Sequence, residues 1–388
     1  MDDIQQQSPR DDGTNDAARP RPWAFGPLTP DDGRLRFLDL ARGLAIVFMV
    51  FQHVQIVFAV SEGESSALGA AFLLLGTAPA APVFMVAMGF LFGSSTRTGV
   101  RSGLVRGLQL FALGYALNLL RFVLPLLVRG DPHAIELFGG TWWGAFFEID
   151  ILQLAGLSLI VLGPVKRYVR DPPLVLALAA AVAIVAPLLW GAGGGSVVLD
   201  PLWGLGEWVS FPLFPWLAYP LLGLALAGFT GRAASAGLLM RAWALAGAAA
   251  VLAGAALVVL APAGSVILAF GDYYRSGLPV QLLLAGFVLL WLPFLWWLDR
   301  RLAWRAVPRY LTSLSRNITA VYLIQWVLIG WLAIGLGVFD RPSWLAALLG
   351  VPILVASHLL ALGYHRLAAG WRGRRQVPQV RTGARRGS

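Results

Sequence analysis

Residues 36–53 read RFLDLARGLAIVFMVFQH, an apolar run that opens on Arg36, carries Asp39 and Arg42 in its first turns and ends at Gln52 and His53. Helical geometry over this run puts Arg42 and His53, eleven residues apart, on one face, with roughly 16 Å of rise between them. Asp39 and Arg42, spaced i and i+3, are expected to pair at the start of the helix. A stretch this apolar is long enough to begin a membrane span of about 20 residues. Within such a span each ionisable side chain is expensive and is read first as functional.

The rest of the chain repeats the pattern. Apolar stretches of spanning length lie near 37–60, 68–93, 104–127, 143–163, 174–190, 211–229, 242–261, 278–298, 318–338 and 344–366. With 58% hydrophobic and 13% charged residues, against about 25% charged in a soluble domain, the chain cannot cover its apolar surface with polar groups. Many of its 16 Trp lie at the ends of the apolar runs, as in aromatic belts. The fold class read from this is all-α: a polytopic transmembrane bundle of about ten helices.

Charge orients the bundle. Taking alternate connections, the segments 1–36, 94–106, 164–173, 230–241, 299–316 and 366–388 hold 25 of the 30 Lys and Arg, while the other five connections hold only Arg129, Arg275 and Arg341. Arg42 and Arg121 are the remaining two, inside spans. By the positive-inside tendency both termini are expected in the cytoplasm. The net charge of +10 is thereby spread over short loops and forms no single nucleic-acid-binding patch. Residues 1–35 are polar and acidic with no apolar core, so they read as a disordered cytoplasmic tail rather than a cleaved signal. Residues 36–368 read as the transmembrane domain and 369–388 as a basic cytoplasmic tail. One Lys, Lys166, beside 29 Arg, with abundant Ala and Gly, suggests a GC-rich bacterial gene and hence the plasma (inner) membrane.

With no Cys, thiolate chemistry and disulfides are excluded, and no metal-ligand spacing, phosphate-cradling glycine loop or serine-hydrolase elbow is found. Candidate chemistry falls to His and carboxylates. Alternating helix directions put Asn118 and Arg121 in the outer part of the third span, and Glu148, Asp150 and Gln153 in the outer part of the fourth. His53 shares that depth, and either carboxylate is then placed to orient its imidazole. Arg121 has two readings, a substrate contact or a structural ion pair with one of the two carboxylates. Arg42 has two as well, a functional partner of His53 or an interfacial arginine laid along apolar surface. Tyr322 and Gln325, one turn apart on the ninth span, are placed in its inner half. His358 and His365 on the tenth span read as structural or interfacial, and His133 as a solvated loop residue. No internal repeat of 20–50 residues is evident.

The Asp39-x2-Arg42-x10-His53 pattern resembles the first helix of the transmembrane acyltransferase superfamily. Within it the chain is most similar to bacterial relatives of heparan-alpha-glucosaminide N-acetyltransferase. Ala81-Pro-Val-Phe84 with Gly89, Ile151-Leu-Gln153 with Gly156, Phe211-Pro through Pro215-Trp216 with Gly223, and the run from Ser313 to Gln325 extend the likeness over most of residues 35–366. A histidine that some relatives carry near the start of the penultimate helix is replaced here by Gln325.

The resemblance implies transfer of an acyl group, commonly acetyl, from cytoplasmic acyl-CoA (acetyl-CoA) to a hydroxyl or amine of a carbohydrate or glycolipid acceptor on the far side, with no metal. It makes His53 the essential histidine and Arg42 its partner. Arg42, Arg97 and Arg101 are then expected to meet the CoA phosphates; Glu148 or Asp150 to serve catalysis beside His53; and Arg121, Asn118 and Gln153 to contact the acceptor. The competing expectation is a transporter or flippase that uses Arg121, Glu148 and Asp150 as a pathway.

Overall fold

A computed structural model describes residues 26–28, 34–59, 66–96, 99–129, 141–206, 208–262, 264–269, 271–301, 306–338 and 341–375. Ten of its helices are long and apolar enough to cross a membrane. They are α1 (Arg36–Phe58), α2 (Ala67–Ser94), α3 (Val100–Val128), α4 (Ile151–Tyr168), α5 (Pro172–Leu189), α6 (Leu213–Thr230), α7 (Ala236–Leu260), α8 (Leu278–Arg301), α9 (Ile318–Leu336) and α10 (Ser343–Ala368). The expected all-α membrane bundle is what the chain forms; no strand occurs among the described residues. The last helix continues to Arg375.

α1 sits at the centre, packed on α2, α8, α9 and α10 and on a short amphipathic helix, Ala306–Arg316, that precedes α9. α6 is the most enclosed of the ten, held between α2 and α5, whereas α7 packs mainly on α8 and turns most of its surface outward. Leu245, Leu252, Val259 and Leu260 on α7 are exposed. In a bilayer such a face meets acyl chains and needs no protein partner.

Close crossings rest on small residues. On α2, Gly89 lies against the carbonyl of Pro220 on α6, and Gly223 of α6 lies against the carbonyl of Val86. A Cβ at either position would collide with backbone, which cannot turn aside as a side chain can. Gly223→Val is therefore expected to destabilise the protein by about 1–3 kcal/mol, the usual range for overpacking. A thermal midpoint in detergent equal to that of the wild type would contradict this reading of the crossing.

Three local features shape the interior. α2 is broken at residues 78–80, between Thr77 and the Ala81-Pro82 start of its second half. α3 contains a π-helical turn, Leu119–Val123, which includes Arg121; such bulges re-aim side chains and recur at functional sites. α4 begins at Ile151, not near 143 as the hydropathy suggests. The apolar Trp142–Phe147 forms its own short helix, and the chain then runs extended through residues 148–150. Asp150 caps α4 by accepting from the Ile151 amide, and Gln153 Oε1 accepts from the Asp150 amide in return. A capping box of this kind fixes a helix start that hydropathy does not register.

Candidate functional site

The extended residues 148–150 pair with residues 208–211 ahead of α6. The Ile149 amide donates to the Trp208 carbonyl at 2.8 Å, and the Ser210 and Phe211 amides donate to the Ile149 carbonyl at 3.0 and 3.1 Å. Non-helical backbone inside a membrane protein must satisfy its polar groups locally, and these two segments do so for each other. They present Glu148, Asp150, Ser210 and Phe211 to a cavity of about 330 Å³. The opposite walls come from α1 with Gln52 and His53, α3 with Arg121, and α9 with Tyr322 and Trp326.

His53 is held from α9. The Gln325 side-chain amide lies 2.9 Å from its Nδ1. Trp326 lies against the imidazole with ring centroids 4.2 Å apart, and Tyr322 meets it edge-on at 6.0 Å. Neither Glu148 nor Asp150 hydrogen-bonds the imidazole, so Gln325, and not a carboxylate, supplies its direct partner. Among the described residues Nε2 has no hydrogen-bond partner, and His53 lines the cavity.

Asp150 has a different task. Its Oδ2 accepts from Arg121 Nη1 and from the Tyr322 hydroxyl, both at 2.7 Å. Arg121 is completed by the Asn118 Oδ1, 2.9 Å from Nη2, and by the rings of Phe122 and Trp326, 4.2 and 4.5 Å from its guanidinium carbon. Burial alone would raise the Asp150 carboxyl, but the Arg121 guanidinium and the Tyr322 hydroxyl hold it below the usual carboxylate range. Asn118 and Gln153 are fully buried, and each donates its amide to the Glu148 carbonyl, at 2.7 and 2.9 Å. They brace the 148–150 segment and do not line the cavity. Of the three residues expected to touch acceptor, only Arg121 reaches it.

Glu148, which precedes the α4 span, accepts a 2.6 Å hydrogen bond from the Ser210 hydroxyl. Burial pushes its carboxyl up to about 8, against the pull of Ser210 and Arg121. The folded protein thus favours neutral Glu148. The stability this contributes is present in full below the unfolded value near 4.5 and is lost as pH rises through about 8. Glu148→Gln, which cannot ionise, is expected to show a smaller loss of thermal stability between pH 5 and 8 than the wild type. Parallel melting curves for the two proteins would contradict it.

Tyr322 and Gln325, in the first half of α9, bond Asp150 and His53, residues that the count along the spans had placed toward the other side. Asp39 pairs with Arg34 at 2.7 Å and accepts from Ser315 at 2.8 Å, in place of the expected bond to Arg42. Arg42 is half-buried on α1 and Arg101 exposed on the first turn of α3; neither lines the cavity. Arg97 and His133 lie outside the described residues. His358 bonds Ser313 at 2.9 Å and meets Tyr310 edge-on, away from the cavity.

Among the cavity residues that the sequence reading missed are Ser210 and Gln52. Ser210 stands just ahead of the Phe211-Pro motif, where nothing in its own type announces a partner. Gln52 is 9% exposed, packs on the bare backbone of Gly76 and has no hydrogen-bond partner among the described residues. Its signal was present, a second polar side chain beside His53 in an apolar helix. No group of three or more metal-ligating side chains occurs among the described residues.

Comparison with known proteins agrees with the resemblance read from α1. No curated protein and no solved structure matches the chain. A family model described as the catalytic region of heparan-alpha-glucosaminide N-acetyltransferase matches residues 34–261, more than half the sequence, including His53, Arg121, Glu148, Asp150 and Ser210. The histidine-lined cavity within a ten-helix membrane bundle therefore belongs to a member of the heparan-alpha-glucosaminide N-acetyltransferase catalytic family.

Proposed function

We propose that this protein is an acyl-CoA-dependent membrane acetyltransferase that modifies a hydroxyl or amine of a carbohydrate-type acceptor on the outer side of a bacterial plasma membrane. The observation that carries the proposal is His53, fixed through Nδ1 and rings on α9 while its Nε2 stands at a cavity wall without a hydrogen-bond partner among the described residues. Family membership supplies the reaction type.

The chemistry needs one proton shuttle. Nε2 takes the proton from the acceptor as its oxygen or nitrogen attacks the thioester carbonyl. The tetrahedral intermediate collapses, the C–S bond breaks, and the proton on Nε2 returns to the CoA sulfur. Acceptor and sulfur must both reach Nε2, because Nδ1 is occupied. Attack by Nε2 itself, giving an acyl-histidine, is the competing route. A cavity of about 330 Å³ falls in the size class of small-ligand sites, and its mixture of aromatic rings with a few polar groups suits a sugar or the end of a pantetheine arm. Arg42, Arg97 and Arg101 are placed by the charge alternation to meet the CoA phosphates at the cytoplasmic face, with 1–35 and 369–388 as cytoplasmic tails. Arg121 and Asp150, closed on each other and on Tyr322, act as framework. That closed pair favours the enzyme reading over a transport pathway through the same residues.

Because the chain contains no Cys, thiol released in proteoliposomes supplied with acetyl-CoA comes from CoA alone. Thiol release that depends on an added amino sugar or glycolipid is expected. Acceptor uptake without thiol release would overturn the proposal in favour of transport.

A further inference from the structure

Gln325 is fully buried on α9, one turn beyond Tyr322, and its amide nitrogen lies 2.9 Å from His53 Nδ1. Its Oε1 is buried without a hydrogen-bond partner. An amide carries a donor and an acceptor on the same carbon, and a half-turn about its last torsion exchanges them with little change of shape. The two settings are not equivalent for the imidazole. With the N–H turned to Nδ1, that nitrogen must be unprotonated, so the neutral ring carries its proton on Nε2 and has no lone pair to offer the cavity. With Oε1 turned to Nδ1, the ring donates from Nδ1–H and the Nε2 lone pair is open. Once Nε2 has taken a proton, Nδ1–H is obligatory, and only the oxygen-facing amide can receive it. Either setting leaves one amide group unpaired, so hydrogen-bond count within the bundle does not choose between them; a group in the cavity that donates to Nε2, a CoA thiol or an acceptor hydroxyl, favours the oxygen-facing amide.

We infer that Gln325 is the positioning residue that sets the tautomer of His53, its amide oxygen accepting from Nδ1–H during turnover so that Nε2 is the basic nitrogen. This rests on the reading of His53 as general base. No carboxylate takes the place, because Asp150 is engaged by Arg121 and Tyr322 and Glu148 by Ser210. A neutral amide has a consequence that a carboxylate lacks. It accepts from Nδ1–H without holding the imidazole in its charged form, so the proton is surrendered readily to the departing sulfur.

The test uses full-length protein labelled with ¹⁵N-histidine in bilayers, the His53 signal being identified by its loss in His53→Gln. In the wild type with CoA bound, the Nδ1-protonated form is expected to dominate. In Gln325→Leu the tautomer ratio is expected to move toward Nε2–H, and kcat to fall roughly 100-fold, the lower end of general-base contributions, with KM for acetyl-CoA unchanged. Gln325→Glu, which when ionised can only accept, is expected to keep the Nδ1–H form and to retain more turnover than Gln325→Leu, with a pH–rate profile displaced from that of the wild type. An Nε2–H ring in the CoA-bound wild type, or a tautomer ratio and kcat unmoved in Gln325→Leu, would overturn the inference. Should Gln325→Leu fail to fold, the tautomer and pH profile of Gln325→Glu decide alone. Full turnover in His53→Gln would instead remove the underlying base reading, so the two failures are told apart.

Discussion

His53→Gln is expected to lower acyl transfer by about 10²–10⁴-fold, the range general-base catalysis contributes, while leaving the bundle folded. Glutamine is similar in length and polar, so the cavity wall and the neighbouring Trp326 and Gln325 keep a partner of comparable size. What disappears is a group that can hold a proton between its removal from the acceptor and its delivery to sulfur. KM for acetyl-CoA is expected to change little, because the proposed seat of the nucleotide end, at Arg42, Arg97 and Arg101, does not include His53. Both the direct and the acyl-histidine routes require this loss. Single-turnover rates in proteoliposomes, alongside melting curves that show the variant intact, measure it. Turnover within a factor of a few of the wild type would rule out both routes.

The second large effect is on stability. Arg121 is 2% exposed and Asp150 8% exposed, and the pair is joined at 2.7 Å. Arg121→Leu removes the cation and leaves a buried carboxylate whose one remaining side-chain donor among the described residues is the Tyr322 hydroxyl. Breaking a buried pair from one side costs about 3–5 kcal/mol, whereas removing both charges together is often near neutral. Arg121→Leu is therefore expected to unfold at much lower temperature than the wild type, and the double variant Arg121→Leu with Asp150→Asn to recover most of the difference. The same comparison separates the two roles considered for Arg121. A framework residue shows the rescue, while an acceptor-binding residue shows unaltered melting in the single variant and a raised KM for acceptor.

The spans were legible because the bilayer imposes a length and an apolar composition on each of them. Both leave local marks in the sequence. The start of α4 was not legible. Trp142–Phe147 and Ile151–Leu154 are equally apolar, and only the Asp150–Gln153 capping box divides them. Part of the cavity lining was legible, and its pairings were less so. His53, Arg121, Glu148 and Asp150 all line the cavity, as depth along the helices suggested. Which carboxylate meets which cation is set by contacts between residues such as Asp150 and Tyr322, 172 positions apart, or His53 and Gln325, 272 apart. No periodicity within one helix encodes such a contact. The π turn at Leu119–Val123 that aims Arg121 inward is invisible to a period of 3.6 for the same reason.

The role proposed for His53 is to pass a proton while an acyl group moves from CoA on the cytoplasmic side to an acceptor on the other. The most direct measurement places acceptor inside proteoliposomes and ¹⁴C-acetyl-CoA outside, for protein inserted with its termini outward, and analyses the lumen. Labelled acceptor is expected with the wild type and not with His53→Gln. Label reaching the acceptor equally with both proteins, or acceptor crossing the membrane unlabelled, would contradict it.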